Sequence, residues 1–99
     1  MKTIFIPAKT NYELNEELIK EISEKIPNNI AIAYSIQFEE IAKLVKQKLK
    51  NKKITAFVQV LGCSKPNFPK NTKVLDLGCG TGEFLAELRK RGCDVWGVF

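Results

Sequence analysis

Three closely spaced glycines form the part of this sequence whose residue types and spacing could do chemistry. Gly78, Gly80 and Gly82 follow a short apolar run at residues 74–77 and precede an amphipathic stretch. Glycine suits such a turn because it tolerates positive φ and lets a ligand approach the backbone more closely than a Cβ would. A strand, a glycine loop and a helix in this order place a ligand's polar group at a helix N-terminus. The pattern therefore predicts a ligand-binding loop.

The residues around the glycines carry a resemblance to a known family. Residues 76–82 are Asp-Leu-Gly-Cys-Gly-Thr-Gly, and the stretch from about 74 to 98 resembles the first motif of class I S-adenosylmethionine-dependent methyltransferases. The resemblance implies that the loop cradles the amino-acid part of the cofactor. The cofactor-binding positions that it implies are Asp76, Gly78, Cys79, Gly80, Thr81 and Gly82.

Two further positions bear on that resemblance. In the family, the residue matching Asp76 organises the loop and orients the cofactor amine, although an aspartate here could also simply accept hydrogen bonds from backbone amides at the turn. The family ends its next strand with an acidic residue that accepts hydrogen bonds from the ribose hydroxyls. Phe99 stands at that position, so this ribose acceptor is missing. The alternative for the whole loop is a tight turn that binds nothing.

A second resemblance covers roughly residues 1–73. Residues 34–38 and above all residues 59–63 resemble the N-terminal domain of archaeal diphthamide synthase, the 2-(3-amino-3-carboxypropyl)histidine synthase family. That resemblance implies that Cys63 is one ligand of a [4Fe-4S] cluster whose other cysteines come from other domains. It also implies elongation factor 2 as a partner. The alternative for Cys63 is a partly exposed thiol on a glycine turn.

Composition indicates a junction between the two resemblances, near residues 72–74. All ten isoleucines and all seven asparagines lie before Lys73, whereas both arginines lie after it. We therefore interpret residues 1–99 as a single hybrid domain. Natural recombination and deliberate construction would look alike in the sequence, and an engineered or recombined folding unit with no enzymatic activity is the alternative function.

Length and composition describe one ordinary globular domain. The chain has 99 residues, of which 44% are hydrophobic and 27% are charged. No apolar run approaches the roughly 20 residues of a membrane span, and the apolar run at the N-terminus is too short for a signal peptide. We expect a cytoplasmic protein without a membrane partner.

The formal net charge of +5 permits nucleic-acid binding without requiring it. The lysines are spread along predicted helices and alternate with glutamates, which is typical of solvated helix faces. The densest cluster, Lys50, Lys52 and Lys53, falls where a helix should end, and cations are favourable there. Nucleic acid is therefore an unlikely partner by this interpretation, and a basic interaction module is the alternative.

The metal-ligating residue types are sparse. Cys63, Cys79 and Cys93 form no C-x-x-C pair, so a zinc site is not expected. The sequence contains no histidine, which excludes histidine acid–base chemistry and histidine metal ligands.

The elements that must position these residues alternate along the chain. Strands are predicted at residues 3–6, 30–34, 54–61, 74–77 and 95–98, the second and third of them buried on both faces. Thr10 and Glu13 have capping-box spacing before a first helix that Pro27 ends, Ser35 could cap a second helix, and a third follows Gly82. This alternation predicts an α/β, Rossmann-like three-layer sandwich with about five mostly parallel strands and three helices.

Parallel strands would bring the candidate residues together. If the strands before Cys63 and Gly78 are parallel, both positions lie at the carboxyl edge of one sheet, where ligands of open α/β folds bind. Lys9, Ser35 and Gln37 would share that rim. We expect an S-adenosylmethionine-binding transferase-type domain or fragment, with no catalysis by this chain alone.

Overall fold

The fold is given by a computed structural model that describes residues 2–4, 16–61, 66–78 and 83–98. Within these residues the chain alternates between strands and helices. The elements are β1 (Lys2–Ile4), α1 (Glu16–Lys25), β2 (Asn29–Tyr34), a short 3-10 helix (Ile36–Phe38), α2 (Glu39–Lys48), β3 (Lys53–Gln59), β4 (Lys73–Leu77), α3 (Glu83–Lys90) and β5 (Asp94–Val98).

The five strands form one sheet in the order β1-β5-β4-β2-β3, and every pair of neighbours is parallel. This confirms the predicted α/β class, five strands and three helices. The strand order could not be derived from the sequence, because the consecutive strands β3 and β4 lie on opposite sides of β2.

Each face of the sheet has its own apolar core. On one face, α1 and α2 pack against β2 and β4; on the other, α3 packs with Phe68 from the segment before β4. Helix α2 shows why its sequence folds this way: Ile41, Ala42, Val45 and Leu49 recur at helical spacing and are all buried. The two cores make the three layers that the alternation predicted.

The path of the chain explains the helix placement. From β2, the chain passes through α2 to β3 on one side; from β4, it passes through α3 to β5 on the other side. Crossovers between parallel strands are almost always right-handed, so connections that run in opposite directions across a sheet place their helices on opposite faces.

Two local predictions were wrong. The third strand was expected to be buried on both faces, but β3 is an edge strand and none of its residues is fully buried. Ser35 was expected to cap the second helix, but it precedes the 3-10 helix, makes no side-chain cap hydrogen bond, and leaves α2 to begin at Glu39. The predicted capping box at Thr10 and Glu13 lies outside the described residues.

Among the described residues, no helix is both long and apolar enough to cross a bilayer.

Candidate functional site

In the middle of the sheet, the direction in which successive connections cross the sheet reverses. Strands β2 and β4 are neighbours, and the helices that follow them leave toward opposite sides of the sheet. In open α/β sheets this arrangement opens a crevice outside the carboxyl ends of the two strands, and ligands bind there. We call this region the switch-point site. It is formed by the ends of β2 and β4 and by the residues that follow them.

The first glycine of the loop lies directly against the end of β2. Gly78 has a φ of +85°, and a Cβ built on it would lie 2.5 Å from Cδ2 of Phe38 and 2.7 Å from Oγ of Ser35. The Ser35 amide donates a hydrogen bond of 3.2 Å to the Leu77 carbonyl. Glycine is therefore required at position 78 both by the backbone conformation and by the space.

The buried carboxylate of the site belongs to Asp76 on β4, two residues before Gly78. Val74 packs in the core on the α3 face of the sheet, so Asp76, two residues on, lies on the same face. The neighbours of Asp76 in the sheet are Ala33 on β2 and Gly97 on β5. Neither neighbouring strand places a large side chain directly beside the carboxylate.

The position of Asp76 has an electrostatic cost. The residue is only 3% exposed, and burial raises the pKa of its carboxyl group from 3.8 to about 6. Desolvation disfavours the charged form, whereas a cation placed beside the carboxylate would favour it. A perturbed carboxyl group at the edge of a crevice is a common property of functional sites.

The surroundings of the switch-point site are acidic with an apolar rim. Helices α2 and α3 both begin at this edge, with Glu39 and Glu40 in the first turn of α2 and Glu83 in that of α3. Two exposed large hydrophobic residues lie at the same edge: Ile36, which begins the 3-10 helix, and Leu61, two residues after β3, are 67% and 56% exposed. Glu39 pairs with Lys43 at 3.4 Å, so the buried carboxylate of Asp76 is the main group that favours a ligand with positive charge, and Ile36 and Leu61 add apolar surface.

The structure describes some of the predicted site residues. It places Asp76, Gly78, Ser35 and Gln37 at the carboxyl edge of the parallel sheet, as the shared-rim hypothesis required. The other predicted positions lie outside the described residues; they are Lys9, Cys63, Cys79, Gly80, Thr81, Gly82 and Phe99. Ala33, Phe38 and Gly97 were missed, because only the strand order reveals that they adjoin the glycine loop or Asp76.

No metal site is formed by the described residues. They contain no group of three or more histidine, cysteine or acidic side chains that could hold an ion. Cys93, the one cysteine among the described residues, is buried. It lies immediately before β5, at the amino edge of the sheet, and so is far from the switch-point site.

A second concave region lies elsewhere and is a weaker candidate. An open groove of about 660 Å³ runs between α2 and the edge strand β3, lined in part by Leu44, Gln47 and Phe57. The Lys46 ammonium stands 4.8 Å above the Phe57 ring there. The polar side chains that line this groove are all exposed, so none of them is buried as Asp76 is.

Comparison with known proteins identifies one family. The family model described as "Methyltransferase domain" matches residues 13–98. No curated protein and no solved structure matches the chain. The match runs through the predicted junction at residues 72–74 without interruption. Nothing in the comparisons supports a relationship to diphthamide synthase, an iron–sulfur cluster at Cys63, or a chimeric origin.

The packing at Gly78 leads to a first prediction, which uses Gly92, another described glycine with a positive φ, as the comparison. Gly92 has a φ of +87°, but a Cβ on it would meet only the flexible side chain of Lys70. The left-handed backbone alone should cost each alanine variant about 1–2 kcal/mol of unfolding free energy. Gly78→Ala should lose about 1–3 kcal/mol more, because Phe38 and Ser35 must move. Urea unfolding measures both variants, and equal losses would show that the contact at Gly78 is not tight.

The raised pKa of Asp76 leads to a second prediction. Between about pH 4 and pH 6 the folded protein holds a proton at Asp76 that the unfolded chain has already released, so this group lowers the unfolding free energy as the pH rises. Ionised Asp76 should cost the ligand-free protein on the order of 3 kcal/mol at neutral pH. Asp76→Asn should therefore gain stability relative to the wild type as the pH rises through this window.

Urea unfolding of both proteins across the window isolates the effect of Asp76, since the other carboxylates contribute equally to the two curves. A difference in stability that stays constant with pH would contradict the raised pKa.

Proposed function

We propose that this chain, which belongs to the methyltransferase-domain family, binds S-adenosylmethionine at the switch-point site and acts as a transferase-type domain. The observation that carries the proposal combines two features. Asp76 is a buried carboxylate, and Gly78, two residues later, packs so closely against Phe38 and Ser35 that a side chain would collide with them. Both features converge at the one point of the sheet where open α/β folds bind ligands.

The charge of the ligand fits the charge of the site. S-adenosylmethionine carries an ammonium group and a sulfonium centre, so it supplies positive charge to an edge that holds Asp76 and the acidic first turns of α2 and α3. An ammonium beside Asp76 would offset the desolvation that raises the pKa of this carboxyl group. The carboxylate that destabilises the ligand-free fold thereby becomes a binding group.

The remaining described residues have supporting roles in this proposal. Gly78 keeps the backbone of the loop accessible, because a side chain there would collide with Phe38. Ala33 and Gly97 are the small residues that flank Asp76 in the sheet. When bound, the cofactor would supply an electrophilic methyl group on sulfur, which a nucleophile takes as the carbon–sulfur bond breaks to leave a neutral thioether.

Ser35, whose side chain makes no helix-cap hydrogen bond, also belongs to the proposed binding site. The Ser35 hydroxyl lies next to Gly78 and makes no cap hydrogen bond with the 3-10 helix that follows it. A hydroxyl can donate one hydrogen bond and accept two. We assign Ser35 to the ligand-facing side of the switch-point site, where it would contact the bound cofactor from β2.

The third prediction uses the titration of Asp76 as a signature of binding at this site. Calorimetric titration with S-adenosylmethionine should show binding about tenfold weaker at about pH 5 than at about pH 7. The reason is that a carboxyl group with a pKa of about 6 is only about one-tenth ionised at the lower pH. Asp76→Asn should bind weakly at both values and lose the pH dependence.

Asp94→Asn is the matched control. Asp94 is an exposed aspartate at the opposite end of the sheet, where β5 begins. This variant removes the same charge and should titrate like the wild type. Wild-type affinity in Asp76→Asn, or no heat from the wild type at millimolar cofactor, would overturn the proposed function.

A further inference from the structure

The amino edge of the sheet collects basic side chains from every part of the fold that ends there. Helices α2 and α3 end at this edge, and β3 and β4 begin at it. We call the exposed basic residues of these segments the amino-edge surface; they are Lys48, Lys50, Lys53, Lys70, Lys73, Arg89, Lys90 and Arg91. Residues that are far apart in the sequence thus become one surface, on the side of the molecule opposite the switch-point site.

Helix dipoles explain only part of this surface. Cations are favourable in the last turn of a helix, which accounts for Lys48 in α2 and Lys90 in α3. Lys53, Lys70 and Lys73 have no such reason, because they lie at the starts of strands and in the turn before β4. Among the described residues these three lysines form no ion pair, so their charges are available to a partner.

The acidic groups at this edge are few. Arg91 pairs with Glu87 at 2.9 Å, and at the end of α1 the side chain of Lys25 pairs with Glu21 while Glu24 is exposed. Asp94 is the acidic residue that begins a strand here, beside Lys73 in the sheet. These carboxylates leave a marked excess of positive charge between β3 and α3.

A polar groove lies among the three lysines. It has a volume of about 360 Å³ and is lined by Asn29, Thr55, Asn71, Thr72 and Lys73. Lys53 pairs with Asn29 across the sheet, and Lys70 immediately precedes Asn71. Amide, hydroxyl and ammonium groups are the ones with which proteins hold phosphate oxygens, and none of the lining residues is aromatic.

The spacing of the lysines suits a chain of phosphates. Lys53 on β3 and Lys73 on β4 are separated by β2, which places their strands about 10 Å apart. Along the axis of a duplex, each strand carries one phosphate about every 3.4 Å, so this distance corresponds to about three nucleotide steps and about four phosphates. A run of phosphodiesters would thus meet the groove and both flanking lysines together.

We propose that the amino-edge surface is a docking site for the phosphate backbone of a nucleic acid. The lining side chains contact phosphates, and phosphate contacts carry no sequence information, so binding is independent of sequence. The sequence alone favoured solvated helix faces because the lysines alternate with glutamates along the chain. The parallel sheet separates the two: acidic first turns lie at one edge, and the basic residues lie at the other.

The test compares two triple variants that remove the same charge. Lys53→Gln, Lys70→Gln and Lys73→Gln together disrupt the amino-edge surface. Lys20→Gln, Lys43→Gln and Lys46→Gln together remove three exposed lysines of α1 and α2 that neither line nor flank the polar groove; Lys46, in the last turn of α2, stands over Phe57 instead. Fluorescence anisotropy with a single-stranded RNA of about 20 nucleotides, and with a DNA duplex of similar length, is measured at several salt concentrations.

The wild type should bind both probes, with affinity that falls steeply as salt rises. The amino-edge variant should bind the RNA at least about tenfold more weakly at about 100 mM salt. The slope of log affinity against log salt concentration should become shallower by about 2, which is about 0.7 for each of the three lost phosphate contacts. The control variant should stay close to the wild type. Melting temperatures of all three proteins establish that the variants are folded.

Three results would overturn the proposal. One is an absence of binding to either probe at about 50 mM salt. Another is an equal loss in the two variants, which would show that only net charge matters. The last is binding to anionic lipid vesicles that is tighter than RNA binding and is lost in the amino-edge variant, which would assign the surface to a membrane.

Discussion

The parallel pairing of β2 with β4 is the constraint on which the rest of the structure depends. The register from Ala31 opposite Val74 to Tyr34 opposite Leu77 ends the two strands at the same height. Ser35 and Gly78 are therefore brought into contact although they are far apart in the sequence. The same pairing sets Ala33 beside Asp76 and so defines the space around the buried carboxylate. The pairing of β4 with β5 adds Gly97 on the other side of Asp76.

The direction of the strands also organises the charge of the molecule. Because all strands are parallel, α2 and α3 both begin at the carboxyl edge and end at the amino edge. Acidic residues in first turns and basic residues in last turns are each favoured by the helix dipole. The sequence extends this polarity beyond the helices, with Asp76 toward one edge and Lys53 and Lys73 at the other. A cationic cofactor and a polyanion thus suit opposite sides of the same fold.

Much of this architecture was predictable, and the limits have physical causes. The apolar runs of β2 and β4 and the helical stripe of α2 are local patterns, and each element formed where its pattern indicated. Strand order depends on contacts between distant segments, which one sequence does not record. For that reason β3 was expected to be a buried strand although it is an edge strand, and Ser35 was expected to cap α2 although its hydroxyl faces Gly78. The glycine motif marked the loop but not the small neighbours of Asp76.

The measurement that tests the central claim most directly is the mapping of S-adenosylmethionine onto the protein by amide chemical shifts in NMR spectra. The account predicts large shifts at Ser35, Gly78 and Gly97, which surround the end of β4, and none at Asn71 and Gly92 on the opposite edge. Shifts confined to the amino edge, or to Gln47 and Phe57 beside the groove along α2, would contradict it. In that case the pairing of β2 with β4 would organise the fold without creating its binding site.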